Sequence, residues 1–317
     1  MIELSSAPGR STPGRSTPSR STPGAGALWT ARQVLLSSRP LSWVNTAFPF
    51  AAAYILSTGR IDALLIVGSL FFLLPYNLLM YGINDVFDYE SDLHNPRKGG
   101  AEGALLHPRL HRTVVWAGIV TAAPLLIAML VLAGTGHPAS WLVLAVSLFA
   151  VAAYSVPGLR FKERPVIDSV TSSTHFVSPA VYGLAVAGAA VDLALLALLA
   201  AFFLWGMASH AFGAVQDVLP DREASIASIA TGLGASRTVR LALIFWALAG
   251  LLMLLTPWPG PYAALLVLPY LAAAFPFRSV PDAGSAAANG GWRWFLWLNF
   301  FTGTAVTLLM FAWVQFG

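Results

Sequence analysis

The chain has 317 residues, of which 57% are hydrophobic and 10% are charged. A soluble protein carries about 25% charged residues, so the composition excludes a soluble domain and predicts an integral membrane protein. Cysteine is absent, which excludes disulfides and thiolate metal sites. The net charge is +4, but no basic helix with interleaved aromatic residues lies outside the loops that flank apolar segments, so nucleic acid is not an expected partner.

The first 37 residues differ in composition from the rest of the chain. They contain Arg-Ser-Thr-Pro three times, beginning at Arg10, Arg15 and Arg20. A Pro-containing repeat this short cannot bury apolar surface, so residues 1–37 are predicted to be a disordered tail. A transit peptide is the alternative, because the tail is rich in Arg and Ser and poor in acids. From Leu28 onward, a short amphipathic helix at the membrane interface also fits the pattern.

Residues 38–317 are predicted to form one transmembrane domain, an all-α polytopic helical bundle. Apolar segments of the length needed to cross a bilayer indicate nine transmembrane helices, near residues 41–57, 63–83, 113–133, 139–156, 166–188, 191–213, 239–256, 261–277 and 293–315. Nine helices place the two termini on opposite sides of the membrane.

The distribution of Lys and Arg predicts the orientation, because cytoplasmic loops retain these residues. All of them except Arg60 lie in the tail or in the even-numbered loops. We therefore expect the N-terminus and the even loops in the cytoplasm and the C-terminus outside, in a bacterial plasma membrane.

A group of carboxylates follows the second apolar segment at its predicted cytoplasmic end, in the stretch Asn-Asp-Val-Phe-Asp-Tyr-Glu-Ser-Asp from Asn84 to Asp92. If the helix continues, Asn84, Asp88 and Asp92 fall at i, i+4 and i+8, with Asp85 beside them, so their oxygens point roughly one way. Acids at a helix C-terminus face the negative end of the helix dipole, which argues against a purely structural role. Oxygen ligands favour Mg²⁺ over zinc.

A second acidic pair, Asp217 and Asp221, follows the sixth apolar segment on the same predicted side. Pro220 lies between them and is expected either to bend the helix or to mark a break that turns Asp221 inward. With Glu223, which follows Asp221 closely, seven of the fourteen acids of the chain lie in these two stretches. Ionisable groups at membrane depth are costly and usually functional, so we expect the two clusters to hold Mg²⁺ ions that bind a diphosphate between them.

Basic residues lie near both acidic stretches and are candidates for binding the diphosphate. They are Arg39 before the first apolar segment, Arg97 and Lys98 after the first acidic stretch, and Arg160 and Lys162 after the fourth segment, where Tyr154 also stands. Each of them, taken singly, is equally explained as a charge that sets the topology.

These motifs resemble those of the UbiA-type intramembrane prenyltransferases. Asn84-Asp85-x-x-Asp88-x-x-x-Asp92 and Asp217-x-x-x-Asp221 look like the two aspartate-rich motifs of that family, and Tyr154 to Lys162 is similar to its tyrosine-to-lysine loop. The resemblance implies an enzyme that uses Mg²⁺ to transfer a prenyl group from an isoprenyl diphosphate to a lipophilic acceptor taken from the bilayer. It implies that the motif residues are catalytic and bind the metal, with Asp85 also a metal ligand, and that the basic residues and Tyr154 contact the diphosphate.

The stretches from Tyr81 to Gly100 and from Arg39 to Thr46 further resemble the lycopene elongases of carotenoid biosynthesis. That resemblance implies dimethylallyl diphosphate (DMAPP) as donor and lycopene as acceptor. Two alternatives remain open: transfer to an aromatic ring, as in quinone, haem or chlorophyll synthesis, and a divalent-cation transporter. Transporters place ionisable groups near the bilayer midplane, whereas these acids lie at one face. No proton acceptor is identified, and His175 and His210 are expected to be neutral core residues.

Overall fold

The computed structural model describes residues 26–89 and 105–316, and over these residues the chain is helical without any strand. Twelve helices are labelled here in chain order: α1 Ala27–Ser37, α2 Val44–Thr58, α3 Ala63–Phe87, α4 His111–Ala133, α5 Pro138–Ser155, α6 Ile167–Val186, α7 Leu193–Val215, α8 Val218–Glu223, α9 Ile229–Leu233, α10 Ala235–Met253, α11 Gly260–Phe277 and α12 Asn289–Phe316.

The predicted all-α polytopic bundle is confirmed, but the count of nine spans is not. Seven described helices are long and apolar enough to cross a membrane. The other two predicted spans correspond to α2 and α6. Helix α2 has 15 residues, fewer than the roughly 20 that a span requires. Helix α6 has 20 residues, but it carries buried polar side chains, among them Ser169, Thr171, Ser173 and His175, so it is less apolar than the seven.

Helix α1 shortens the predicted tail and agrees with the short helix that was expected from Leu28 onward. Residues 27–37, which belong to the segment predicted to be disordered, form a helix. It packs against α3 and α4, where Trp29 and Val34 lie beside the buried side chains of Leu78 and Leu110. Residues 1–25 lie outside the described part of the chain.

Two aromatic cores hold the bundle together, one in each half of the chain. In the first half, Phe50, Phe72 and Tyr182 join α2, α3 and α6, with ring centroids 5.2–5.9 Å apart. In the second half, Trp246 and Tyr270 join α10 and α11, with centroids 5.7 Å apart. Such pairs add about 0.5–1.5 kcal/mol each beyond the burial of their area, so each half has its own rigid core.

Helices α6 and α7 connect the halves by a close approach. The Ser173 hydroxyl donates to the Phe203 carbonyl at 2.7 Å, and a Cβ at Gly206 would collide with the Ser173 side chain. Small residues let membrane helices approach this closely. Along the bundle, α2 packs on α6, α6 on α7, α7 on α10 and α10 on α11, which gives a continuous wall around an internal cavity.

Helix α3 is irregular where it approaches the first acidic motif. Pro75 interrupts it, and the Asn77 amide donates to the Phe72 and Leu73 carbonyls at 2.9 and 3.0 Å. A π-helical turn, Leu78–Gly82, follows. Because a π-turn accommodates one extra residue, it rotates all later side chains by about 100° relative to a regular helix. The π-turn therefore sets the direction in which Asn84 and Asp88 point.

Candidate active site

The ends of α3, α5 and α7 meet at one end of the bundle, where they surround the mouth of a cavity of about 2150 Å³. Between the end of α3 and the end of α5, and again between the ends of α5 and α7, the chain crosses the bundle twice. The acidic and basic residues at these three helix ends therefore lie at the same end of the bundle. The predicted site residues that line the cavity are Arg39, Asn84, Asp88, Tyr154, Lys162, Asp217 and Asp221. The predicted meeting of the two acidic motifs at one end of the bundle thus agrees with the structure.

Of the first motif, the structure describes the residues from Asn84 to Tyr89. Helix α3 ends at Phe87, and Asp88 occupies its C-cap with φ −99° and ψ 1°. The condition under which Asn84, Asp88 and Asp92 would share one face, a helix that continues through the motif, is therefore not met at Asp88. Asn84 and Asp88 still face the cavity, and the Asn84 side-chain oxygen accepts a hydrogen bond from the Ser155 hydroxyl at 3.0 Å. Asp92, Arg97 and Lys98 lie outside the described residues.

Asp85 differs from its neighbours in the motif because its side chain is buried and is not part of the cavity lining. Its carboxylate pairs with the Arg39 guanidinium at 3.2 Å. The guanidinium also lies over the Tyr81 ring, 4.3 Å from the centroid. Asp85 thus holds Arg39 against the cavity wall, a contact that the expected metal-ligand role did not include.

Arg39 and Arg160 share an uncommon backbone conformation. Arg39 has φ 48° and ψ 74°, and Arg160 has φ 40° and ψ 54°. Left-handed geometry costs a non-glycine residue roughly 1–3 kcal/mol and is concentrated at functional sites. The surrounding packing holds both residues there, and both side chains are directed towards acids of the first motif, Asp85 and Asp88.

Lys162 is a basic residue of the cavity lining. Its ammonium forms an ion pair with Asp88, and the Arg160 guanidinium lies 3.7 Å from the same carboxylate oxygen. Burial lowers the pKa of Lys162 to about 8, and the nearby acids oppose this shift. Those acids include Asp221 of the second motif, so one ammonium group is close to both motifs.

The second motif begins where α7 ends. The chain breaks at Gln216 and Asp217, and Asp217 then caps the short helix α8 with φ −99° and ψ 2°. Pro220 lies in the first turn of α8, where its missing N–H costs nothing. The expectation that Pro220 marks a break is confirmed, and the alternative of a bent continuous helix is wrong. The amide of Asp221 donates to the Asp217 carbonyl at 2.9 Å, so both carboxylates lie on one turn.

The donor set at the mouth is suited to Mg²⁺ but does not form a closed cage. Asn84, Asp88, Asp217 and Asp221 all present oxygen atoms, the ligand type that Mg²⁺ prefers. Over the residues that the structure describes, no three acidic or histidine side chains converge on one point. Mg²⁺ commonly keeps waters and binds through one or two carboxylates together with substrate phosphates, and the arrangement fits that mode.

Two residues of the cavity wall have contacts that the sequence did not predict. The Tyr154 hydroxyl, which was expected to contact a diphosphate, lies 3.2 Å from His210 Nε2. His210, which was expected to be a neutral residue of the core, lines the cavity, and its Nδ1 lies 3.0 Å from the Ser169 hydroxyl. The partners stand 56 and 41 residues apart along the chain, so no local pattern signals these contacts.

Beyond the polar mouth the cavity is predominantly apolar and extends to the opposite end of the bundle. Its walls there include Leu195 and Leu199 near the start of α7 and Pro257 after α10. Helix α7 runs 23 residues from Leu193 to Val215, which corresponds to about 35 Å. The cavity thus extends over approximately the thickness of a bilayer hydrocarbon core.

The bundle has a mouth lined by acidic and basic residues, and a long apolar cavity lies below it. These features define a class of membrane enzyme that brings a charged phosphate ester to a lipophilic co-substrate. The comparison with known proteins specifies this class. The model of the UbiA prenyltransferase family matches residues 46–300. The chain belongs to the UbiA prenyltransferase family, and it is a membrane prenyltransferase.

Relatives with high identity agree with this assignment. The Corynebacterium glutamicum protein named lycopene elongase/hydratase is 50% identical to this chain over 89% of this chain and 97% of that protein. A Dietzia sp. protein named C(50) beta-cyclic carotenoids biosynthesis protein LbtBC is 54% identical over 86% of this chain and 63% of that protein. The resemblance to this group predicted from the sequence is confirmed, and the transporter alternative is not supported.

A solved structure shows the same fold. The UbiA homologue from Archaeoglobus fulgidus, bound to DMAPP and Mg²⁺, superposes with a TM-score of 0.58 at 20% identity, over 85% of this chain and 98% of that chain.

Proposed function

We propose that this prenyltransferase transfers a five-carbon prenyl group from DMAPP to one end of lycopene, within the membrane, as a step of carotenoid biosynthesis. The observation that carries the proposal is the single cavity that joins the charged mouth to an apolar passage about as long as the bilayer is thick. Such a passage accommodates an extended polyene. The names of the relatives at 50 and 54% identity support the same acceptor class.

The donor diphosphate binds at the mouth in this proposal. Asn84, Asp88, Asp217 and Asp221 would hold Mg²⁺, which supplies positive charge to the leaving diphosphate. Arg39, Arg160 and Lys162 supply fixed cationic groups to the same oxygens. Preorganised charges of this kind are often the largest contribution to catalysis. The carbon–oxygen bond of the donor breaks, its electron pair leaves with the diphosphate, and the allylic carbon becomes cationic.

The cavity walls protect this carbon from water and direct the acceptor to it. Tyr81 and Trp205 line the cavity, and aromatic faces stabilise nearby cations by about 0.5–2 kcal/mol. The terminal double bond of the acceptor donates its π electrons to the allylic carbon, which forms the new carbon–carbon bond and leaves a tertiary cation on the acceptor.

The acceptor enters from the side of the bundle. Helices α2 and α12 both line the cavity, yet they do not pack against one another along their length. We infer that lycopene passes between them from the lipid. With the positive residues retained in the cytoplasm, the mouth faces the cytoplasm, where the water-soluble donor is found, and the C-terminus lies outside.

A pair of matched aspartate variants tests the proposal. Membranes containing the protein are incubated with Mg²⁺, labelled DMAPP and lycopene, and the products are identified by mass; a quinone precursor replaces lycopene in a parallel reaction. Asp217→Asn should abolish transfer. Asp192→Asn is the control, because Asp192 lines the opposite end of the cavity and caps α7 through the Leu195 amide, and Asn caps helices equally well.

We expect prenylated lycopene from the unmodified protein and from Asp192→Asn. Transfer to the quinone precursor in place of lycopene would refute the acceptor assignment. Full activity of Asp217→Asn would refute the role of the second motif.

A further inference from the structure

A chain of polar side chains leads from the cavity wall into the protein, below the charged mouth. Its members are Tyr154 on α5, His210 on α7, and Ser169 with its neighbour Asp168 on α6. Tyr154 and His210 line the cavity, whereas Ser169 and Asp168 are fully buried. Three helices therefore contribute to one hydrogen-bonded array inside a membrane bundle, where polar groups are costly and usually functional.

The array is suited to accepting a proton from the cavity. A neutral imidazole has one donor and one acceptor nitrogen, and a hydroxyl can donate or accept. Both ring nitrogens of His210 have a hydroxyl partner, Tyr154 at 3.2 Å and Ser169 at 3.0 Å. When Nδ1–H donates to Ser169, the Tyr154 hydroxyl donates to the Nε2 lone pair. A proton that reaches the phenol oxygen can then displace the phenol proton onto Nε2.

Asp168 stabilises the charge that such a transfer creates. Its two carboxylate oxygens accept hydrogen bonds from the amides of Ser169 and Ile229 at 2.7 and 2.6 Å, so its position is fixed. It is close enough to act electrostatically on the His210 ring. A buried carboxylate favours a nearby imidazolium because the interior screens charge poorly.

We propose that Tyr154 and His210 form the proton acceptor that ends the prenyl-transfer reaction, with Tyr154 contacting the acceptor cation and His210 taking the proton. This inference rests on the proposed function, since it concerns the tertiary cation left on lycopene. The carbon–hydrogen bond next to the cationic carbon breaks, and its electron pair becomes a new double bond. The proton passes to the Tyr154 oxygen while the phenol proton moves to His210 Nε2. After the product leaves, the imidazolium returns its proton through Tyr154 to water.

His175 provides a matched control for this assignment. It is also a buried histidine that lines the cavity, and its ring contacts Tyr154 edge-on with centroids 5.2 Å apart. In the part of the chain that is described, its Nε2 has no hydrogen-bond partner. The ring of His175 thus has the same cavity, chemistry and neighbour as His210 but lacks the pair of hydroxyl groups that would relay a proton.

The test compares Tyr154→Phe, His210→Gln and His175→Gln in membranes supplied with DMAPP, Mg²⁺ and lycopene. Binding of labelled DMAPP verifies that each variant is folded, and Tyr154→Phe removes only one oxygen atom. Loss of a general base lowers a rate by about 100-fold or more, so Tyr154→Phe and His210→Gln should form the alkene product about 100-fold more slowly. Their remaining product should shift towards the alcohol formed when water captures the cation. His175→Gln should retain the normal product ratio.

Normal alkene formation by both Tyr154→Phe and His210→Gln would overturn the inference while leaving the proposed function intact. The inference would also be overturned if His175→Gln changed the product ratio and His210→Gln did not. If the unmodified protein prenylates an aromatic ring and not lycopene, both the proposed function and this inference are overturned.

Discussion

Replacement of Lys162 by Met tests the electrostatic account of the mouth most directly. The side chain of Lys162 is 12% exposed and pairs with Asp88, so its charge is poorly screened by solvent. Met has a similar length and leaves no large cavity, so the change removes the charge alone. Loss of one partner of a buried charged contact costs about 2–5 kcal/mol. The Arg160 guanidinium lies 3.7 Å from the same Asp88 oxygen and offsets part of that loss. We therefore expect a cost at the lower end of this range.

A loss of about 2–3 kcal/mol corresponds to a fall of roughly 30- to 150-fold in kcat/KM for DMAPP. Arg160→Met is the matched control. The Arg160 side chain is 34% exposed and also forms an ion pair with Glu163. Exposed ion pairs contribute about 0–1 kcal/mol, so kcat/KM should fall by roughly fivefold or less. Initial rates of labelled-product formation at several DMAPP concentrations measure both values.

The pH dependence of the same reaction gives an independent measurement. Because burial lowers the pKa of Lys162 to about 8, the free enzyme loses this positive charge as the pH rises through about 8. The ratio kcat/KM reports the free enzyme, so it should fall above pH 8. Bound diphosphate favours the charged ammonium, so kcat should persist to higher pH. Lys162→Arg should abolish the decline, because a guanidinium does not titrate in this range. Identical pH profiles for the two proteins, or less than a threefold effect of Lys162→Met, would refute the reasoning.

Three further predictions concern the metal, its ligands and the acceptor passage. Chelation with EDTA should stop transfer and excess Mg²⁺ should restore it, and turnover that continues in EDTA would exclude a metal from the reaction. Ser155→Ala removes the hydrogen bond to Asn84 and should weaken Mg²⁺ activation by up to about tenfold, measured by Mg²⁺ titration, whereas Ser155→Thr should remain near normal. Leu195→Trp should block the binding of lycopene and leave DMAPP binding unchanged, because Leu195 lines the cavity. Leu196→Trp, on the exposed face of α7, should remain active. Equal rates of transfer to lycopene for the two variants would contradict the proposed passage.

The sequence predicted the bundle because the length of an apolar segment is a direct physical requirement of the bilayer. It also placed Asn84 and Asp217 at the same end, since alternate helix ends lie on one side of a membrane. Two of the nine predicted spans, α2 and α6, are shorter or more polar than a lipid-facing span, and this has a physical cause as well. Helices α2 and α6 lie against other helices and the cavity, so α2 is short and α6 carries polar residues. Apolar segments alone do not reveal whether a helix faces lipid or a cavity.

The details of the site depend on features that a linear pattern does not encode. The π-turn Leu78–Gly82 follows the interruption at Pro75 and the hydrogen bonds of Asn77 with Thr46 and Phe72. The bond to Thr46 joins α3 to α2, so a local sequence pattern does not reveal it. The pairing of Asp85 with Arg39 spans 46 residues. A regular helix with a period of 3.6 residues would have predicted a cluster of equivalent ligands. The structure instead separates Asp85, which positions an arginine, from Asn84 and Asp88, which face the cavity.

The two acidic motifs place their key residue in nearly the same backbone conformation. Asp88 and Asp217 have φ −99° with ψ of 1° and 2°, and each follows the last turn of a helix. The C-terminus of a helix is equivalent to roughly half a negative charge, so two helix ends add to the negative potential of the carboxylates. Around the mouth, and within the described residues, acids outnumber the basic groups, which are Arg39, Arg160, Lys162 and Arg293. Such a site attracts divalent cations and disfavours a bare diphosphate, so Mg²⁺ should increase the affinity for DMAPP itself and not only the rate of its conversion.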